Sequence, residues 1–126
     1  MKRGLFGVIL LLCLIFGGLH QIRQVRKDLS PIIGDMELAA QAILQEQDQK
    51  TAALTDGARA AWEQYRTKYS CLNDQQQVRQ IDSLYDEVMV FLTAKERVHC
   101  SAACMALKNQ LLALQEDQSL NLPNLF

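Results

Sequence analysis

The chain has 126 residues and a formal charge of −1, enough for one small domain once an unusual opening segment is set aside. Ala, Leu, Gln, Glu, Lys and Arg dominate, and strand-like alternation is almost absent, so an all-α fold is expected. The charge is unevenly spread. Lys2, Arg3, Arg23, Arg26 and Lys27 flank an apolar run, whereas from Asp28 onward eight Lys or Arg face fourteen Asp or Glu, leaving that part near −6. An acidic domain repels polyanions, which speaks against nucleic acid as a partner.

The apolar run, Leu5 to Leu19, follows Met1-Lys2-Arg3-Gly4 and has the form of a membrane-export signal, retained or cleaved. As a helix, Gly4 to Leu19 spans about 24 Å, short of a hydrocarbon core of about 30 Å. Retention is the expected outcome. No pair of small residues is spaced as a cleavage site requires. His20, Gln21 and Ile22 extend the helix into the interface, and Lys2, Arg3 and Arg23 can carry their charges outward past the mismatch. Cys13 is preceded by three leucines and followed by more apolar residues, a poor context for lipid attachment, and reads as a small apolar side chain. The basic flanks nearly balance, so the positive-inside rule alone does not orient the segment. The short stretch before the run favours export of the domain to the extracytoplasmic side of the cytoplasmic membrane. Residues 1–27 are accordingly expected to form an anchor with basic flanks, 28–118 an antiparallel bundle of about three or four helices, and 119–126 a tail.

Ser30-Pro31 predicts a break: Ser suits an N-cap and Pro the first helical position, giving a helix from 31 to about 47 with Ile32, Met36, Ala39, Ala40, Ile43 and Leu44 on one face. Asp48 is the expected cap of the next helix, to about Tyr69, whose stripe is Ala52, Leu54, Ala58, Ala61, Trp62, Tyr65 and Tyr69. Trp62, Tyr65 and Tyr69 make an aromatic edge, read first as core and alternatively as a partner or ligand-stacking surface. Asn73 or Asp74 caps a third helix carrying Val78, Ile81, Tyr85, Val88 and Leu92, with Leu84 and Phe91 beside them. Asp82, Asp86 and Glu87 fall on its polar side and are expected to be solvated. Thr93-Ala94-Lys95-Glu96 has capping-box form and predicts a fourth helix with two neighbouring apolar lines. One holds Val98, Ala102, Met105 and Leu112; the other holds Cys104, Leu107, Leu111 and Leu114. Pro123 forbids further helix, and Leu120, Leu122, Leu125 and Phe126 are able to fold back on the bundle.

Cys71, Cys100 and Cys104 are candidates for a disulfide or a redox pair, with free buried thiols as the leading alternative. Cys100 and Cys104 lie one turn apart on one helix and are poorly placed to bridge each other. His99 with the three thiols makes a nominal metal set that lacks the second close ligand pair of a zinc site. No phosphate loop, nucleophile elbow or paired-histidine protease motif appears, so no catalytic, cofactor or metal residue is assigned and no enzyme is expected.

Trp62, the loop Leu72-Asn73-Asp74-Gln75 leading into Val78 and Ile81, and the ending Ser119-Leu120-Asn121-Leu122-Pro123-Asn124-Leu125-Phe126 together resemble a family of small bacterial membrane proteins catalogued as domain of unknown function 4363. The resemblance spans nearly the whole chain. It implies a membrane anchor and a helical domain, and brings no activity with it. Members often carry an Asp-His pair in the loop where this chain has Asp74 and Gln75, which counts against a ligand role for the loop here. The expected role is that of a single-pass membrane protein whose helical domain binds a membrane-protein partner or a second copy. A thiol-based sensor and a secreted binding domain are the alternatives.

Overall fold

The computed structural model describes residues 2–70 and 74–121, with side chains through residue 117. The described residues form four helices: α1 (Lys2–Leu44), α2 (Asp48–Lys68), α3 (Gln75–Thr93) and α4 (Arg97–Asn121). No strand occurs among them. α1 packs against α2 and α4, and α3 packs against α4, whereas α2 and α3 approach each other less closely.

Each helix presents its core in alternating steps of three and four residues. The seams are Val25, Leu29, Ile32, Met36, Ala39 and Ile43 on α1; Thr51, Thr55, Ala58, Trp62, Tyr65 and Tyr69 along α2 and its C-cap; Val78, Ile81, Tyr85 and Val88 on α3; and Cys100, Cys104, Leu107, Leu111 and Leu114 on α4. A 3–4 alternation keeps one stripe facing the neighbours and produces the shallow crossing of helix bundles. Bonds between helices run in antiparallel register. Ser101, Lys108 and Gln115 of α4 meet Ala40, Glu37 and Ser30 of α1, while Arg59 and Arg66 of α2 meet Asp86 and Asp82 of α3. Buried Ala39, Ala40, Ser101 and Ala103 let α1 and α4 come close enough for the Ser101 hydroxyl to donate to the Ala40 carbonyl at 3.0 Å.

The expected break at Ser30-Pro31 does not occur: α1 is one helix of 43 residues with Pro31 inside it. Proline in a helix costs about 3 kcal/mol through a lost hydrogen bond and a ring clash. The apolar seam runs unbroken through this point, however. Leu29, Ile32 and Met36 are buried to 0–1% exposure, and each contributes about 1.5–3 kcal/mol when removed from water. Those side chains share one stripe only if the helix keeps its phase, so packing outweighs the proline, which sits on the exposed side. Ser30 is exposed and caps nothing; its hydroxyl accepts from Gln115 at 3.4 Å. α1 also stops at Leu44, three residues short of the expected end.

Helix ends differ from expectation in a consistent way. Glu46 (φ 63°) and Lys95 (φ 59°) take the left-handed conformation one position past the caps of α1 and α3. At both ends the backbone closes a Schellman motif. Glu46 and Gln47 donate to the carbonyls of Ile43 and Ala42; Lys95 and Glu96 donate to those of Leu92 and Phe91. The capping box at 93–96 is therefore not formed: Thr93 ends α3, its hydroxyl donates to the Met89 carbonyl at 2.8 Å, and α4 starts at Arg97. Asp48 is the first residue of α2 and not its cap, which is Gln47 without a side-chain cap bond. Asp74 does cap α3, its Oδ1 accepting from the Gln76 amide at 3.0 Å.

Candidate functional site

The first half of α1 is unlike the rest of the molecule. An 18-residue window there has mean hydropathy 2.3, and none of it is buried within the structure. Leu5, Phe6, Val8, Ile9, Leu10, Leu11, Leu12, Leu14, Phe16 and Leu19 are all exposed, as is Cys13. The helix is long and apolar enough to cross a membrane. A signal sequence has the same length and composition; a core helix does not leave its apolar face bare on all sides.

The exposed segment meets the bundle at a basic collar. Arg23, Arg26 and Lys27 are exposed and make no ion pair among the described residues. One residue further, Asp28 turns inward. Its Oδ2 accepts from the Tyr69 hydroxyl at 2.7 Å and from Lys68 Nζ at 3.1 Å, tying the end of α2 to α1 where α1 leaves the bundle. Desolvation acts to raise the Asp28 pKa. The bonds from Tyr69 and Lys68 and the charges of Lys68 and Lys27 outweigh it, holding the carboxyl below its usual range. Tyr69 is pushed up by burial and by donating to Asp28.

Trp62, Tyr65 and Tyr69 are 0%, 3% and 7% exposed, so the aromatic edge lies inside the bundle and offers no ring face to a partner. The Trp62 and Tyr65 rings stack with centroids 5.6 Å apart, and Tyr65 and Tyr69 are 4.7 Å apart. The buried seam that carries them differs from the expected stripe. Ala61 is exposed and Ala52 and Leu54 are half-buried, while Thr51 and Thr55 occupy the seam at 0% exposure. Thr51 fits because its hydroxyl donates to the Gln47 carbonyl at 2.9 Å.

Asp82 is the functional-looking group that sequence reasoning placed wrongly. It is half-buried between α2 and α3. Its Oδ1 accepts from Trp62 Nε1 at 2.8 Å and its Oδ2 from Arg66 at 2.7 Å. Asp86 pairs with Arg59 at 2.9 Å and remains exposed. Further along, Gln77 Nε2 donates to Asp117, linking α3 to α4.

Cys100 and Cys104 are free, both 0% exposed, and on one helix; Cys71 lies outside the described residues. Burial raises both thiols, Cys104 to about 12, and Cys100 Sγ sits 3.8 Å from the Val88 carbonyl. Thiolate is the reactive form, so two protonated, enclosed thiols are poor redox groups. His99 is exposed, its ring 5.5 Å from that of Phe91, and so does not face inward with the two cysteines. Among the described residues no group of His, Cys, Asp and Glu is arranged to hold a metal ion.

Of the two apolar lines expected on α4, one forms the core and the other lies largely outside it. Cys104, Leu107, Leu111 and Leu114 are buried, whereas Val98 is 72% exposed, Met105 is 38% exposed, and Ala102 faces out. The expectations placed on Leu122, Pro123, Leu125 and Phe126, and on the side chain of Leu120, lie outside the described residues. No family model matches the chain, and neither a curated protein nor a solved structure is found to be similar to it.

Proposed function

We propose that this is a single-pass membrane protein whose four-helix domain acts at the membrane surface as a protein-interaction or accessory module of a membrane complex, with no catalytic role. The observation that carries the reading is the exposed apolar half of α1, continuous with a compact bundle. In water, that much bare apolar surface is far larger than a monomeric soluble protein presents, so lipid is its natural solvent. The collar of Arg23, Arg26 and Lys27, which makes no ion pair among the described residues, supports the same reading, since cations at a helix–bilayer junction sit among headgroups. Export of the domain to the extracytoplasmic side belongs to this proposal, as does kinship with domain of unknown function 4363, which would imply the same layout.

An interaction role rests on what the bundle leaves outside. Val98 and Met105 on α4, and Leu38 and Leu44 on α1, are large apolar side chains with 38–72% exposure outside the apolar segment. In-membrane cross-linking through cysteines placed at Val98 and Met105 tests the reading. Discrete adducts with a second protein or a second copy support it, and recovery of monomer alone overturns it. Protease accessibility in intact cells tests the sidedness: digestion of the bundle from outside supports export, and full protection contradicts it.

A further inference from the structure

The outer side of α4 carries a second seam. Val98, Ala102, Met105, Asn109 and Leu112 follow one another at steps of four, three, four and three. The first four are exposed, and Leu112 is half-buried at the edge of the core. Steps of this kind make the seam of a coiled coil, with Ala102 and Asn109 at the a positions and Val98, Met105 and Leu112 at d. No other described helix covers it. Ala106 and Ala113 flank the seam and allow a neighbouring backbone to come close.

Charge points to the identity of that neighbour. In a two-fold interface each residue on the axis meets its own counterpart, so a charged side chain there repels itself. From Val98 to Gln115, Lys108 is the sole Lys, Arg, Asp or Glu, and it turns toward α1, with Nζ 3.5 Å from Glu37. The other three helices all carry exposed charges outside the bundle: Glu37 on α1, Asp56 and Glu63 on α2, Arg79 and Glu87 on α3. Asn109 adds a second sign. An amide at a single a position pairs with its own copy and fixes register and a two-stranded state. The Asn109 side chain makes no hydrogen bond among the described residues. Glu116, the next a position, is exposed and bounds the seam at the collar end.

The anchor fixes the geometry. Two copies enter one bilayer from the same side, so their two-fold axis stands along the bilayer normal. Ser101, Lys108 and Gln115 hold α4 antiparallel to α1. Two α4 helices related by that axis therefore run parallel and in register, as an a-position Asn requires. We infer that two copies of this chain pair in parallel through the outer seam of α4, Asn109 against Asn109. The seam covers about 21 Å of helix. α4 is already ordered by its own core, and confinement to one membrane raises the effective concentration of the copies. The inference rests on the membrane-bound interaction reading and names its partner.

The test uses the full chain in cell membranes, with Cys13→Ala and Cys71→Ala and the two buried thiols kept. Ala102→Cys and Met105→Cys report the seam. Ala60→Cys on α2 and Ser83→Cys on α3, both exposed, report chance collision. Mild oxidation should give a dimer of twice the chain mass at the seam positions, several-fold above the controls. With Ala102→Cys as reporter, Asn109→Lys and Asn109→Asp each set like charges face to face and should cut the dimer about tenfold. Co-expression of differently tagged Asn109→Lys and Asn109→Asp copies should restore it, because lysine then meets aspartate. Asn109 is exposed, so neither variant threatens the fold. Equal dimer at seam and control positions, dimer unchanged by Asn109→Lys, or no recovery in the mixed pair each overturn the inference. Seam adducts with a protein of another mass also overturn it and leave the interaction reading standing, whereas monomer at every position overturns both.

Discussion

Asp82 is where a single atom change should be felt most clearly. Its two oxygens serve different partners: Oδ1 takes the indole N–H of Trp62, which is 0% exposed, and Oδ2 takes Arg66 at 2.7 Å. In Asp82→Ala the indole donor stays buried without an acceptor, at a cost of about 1–3 kcal/mol. The Arg66 pair adds less, about 0.2–1 kcal/mol, because its side chains are 41% and 35% exposed and solvent screens them. The expected loss is about 1–4 kcal/mol, or a fall of roughly 5–30 °C in Tm for a domain of this size. Asp82→Asn keeps an oxygen for Trp62 and gives up the charge, so it should lose no more than about 1 kcal/mol. Trp62 is the only tryptophan, so urea unfolding of the full chain in detergent, followed by its fluorescence, reads the site directly. In a Trp62→Phe background, followed by far-UV circular dichroism because the fluorophore is gone, Asp82→Ala should cost only the Arg66 share, about 0.2–1 kcal/mol. Asp82→Ala within about 0.5 kcal/mol of wild type would refute the reasoning.

Other consequences follow from the backbone and the thiols. Lys95→Gly relieves a left-handed non-glycine residue at φ 59° and should stabilise the bundle by about 0.5–1 kcal/mol in the same urea assay. Pro31→Ala restores the missing helix hydrogen bond at an exposed position and should stabilise by about 1–3 kcal/mol; a loss of stability would mean that α1 is not continuous there. Cys104 is held protonated by burial up to about pH 12, against an ordinary value of 9.0. The folded state thus keeps a proton that the unfolded chain releases. The Cys104 contribution should be flat below pH 9 and be lost as pH rises from there toward 12, so that alkaline loss of stability is less steep in Cys104→Ala.

Much of the bundle could be read from periodicity, and the misreadings share physical causes. α3 is the most legible element because Val78, Ile81, Tyr85 and Val88 repeat at steps of three and four through a mostly polar stretch of the helix. On α4 two apolar lines compete, and the one with three leucines and two cysteines wins. Val98 and Met105 are left outside because a bundle helix buries one seam. Pro31 misled because a local penalty was weighed without the packing on either side of it. Glu46 and Lys95 gave no glycine to mark a left-handed cap, although the hydrogen bonds of both ends are those of a Schellman motif.

The candidate site was less visible. The spacing of Trp62, Tyr65 and Tyr69 identified a shared face, and only packing could say that the face points inward. Asp82 lay hidden because a carboxylate beside a helix stripe looks solvated until a buried indole from another helix reaches it. Asp28 and Lys68 are 40 residues apart, and nothing in local pattern announces their meeting. The apolar run and its basic flanks were legible at once, because a bilayer reads composition and length and needs no tertiary partner.

Alkaline carbonate extraction of cell membranes, followed by intact mass of the chain, tests the central claim most directly. The account predicts that the protein stays with the membrane pellet and that its mass includes residues Leu5 to Leu19. Release into the supernatant, or a mature chain that begins beyond Leu19, would contradict it.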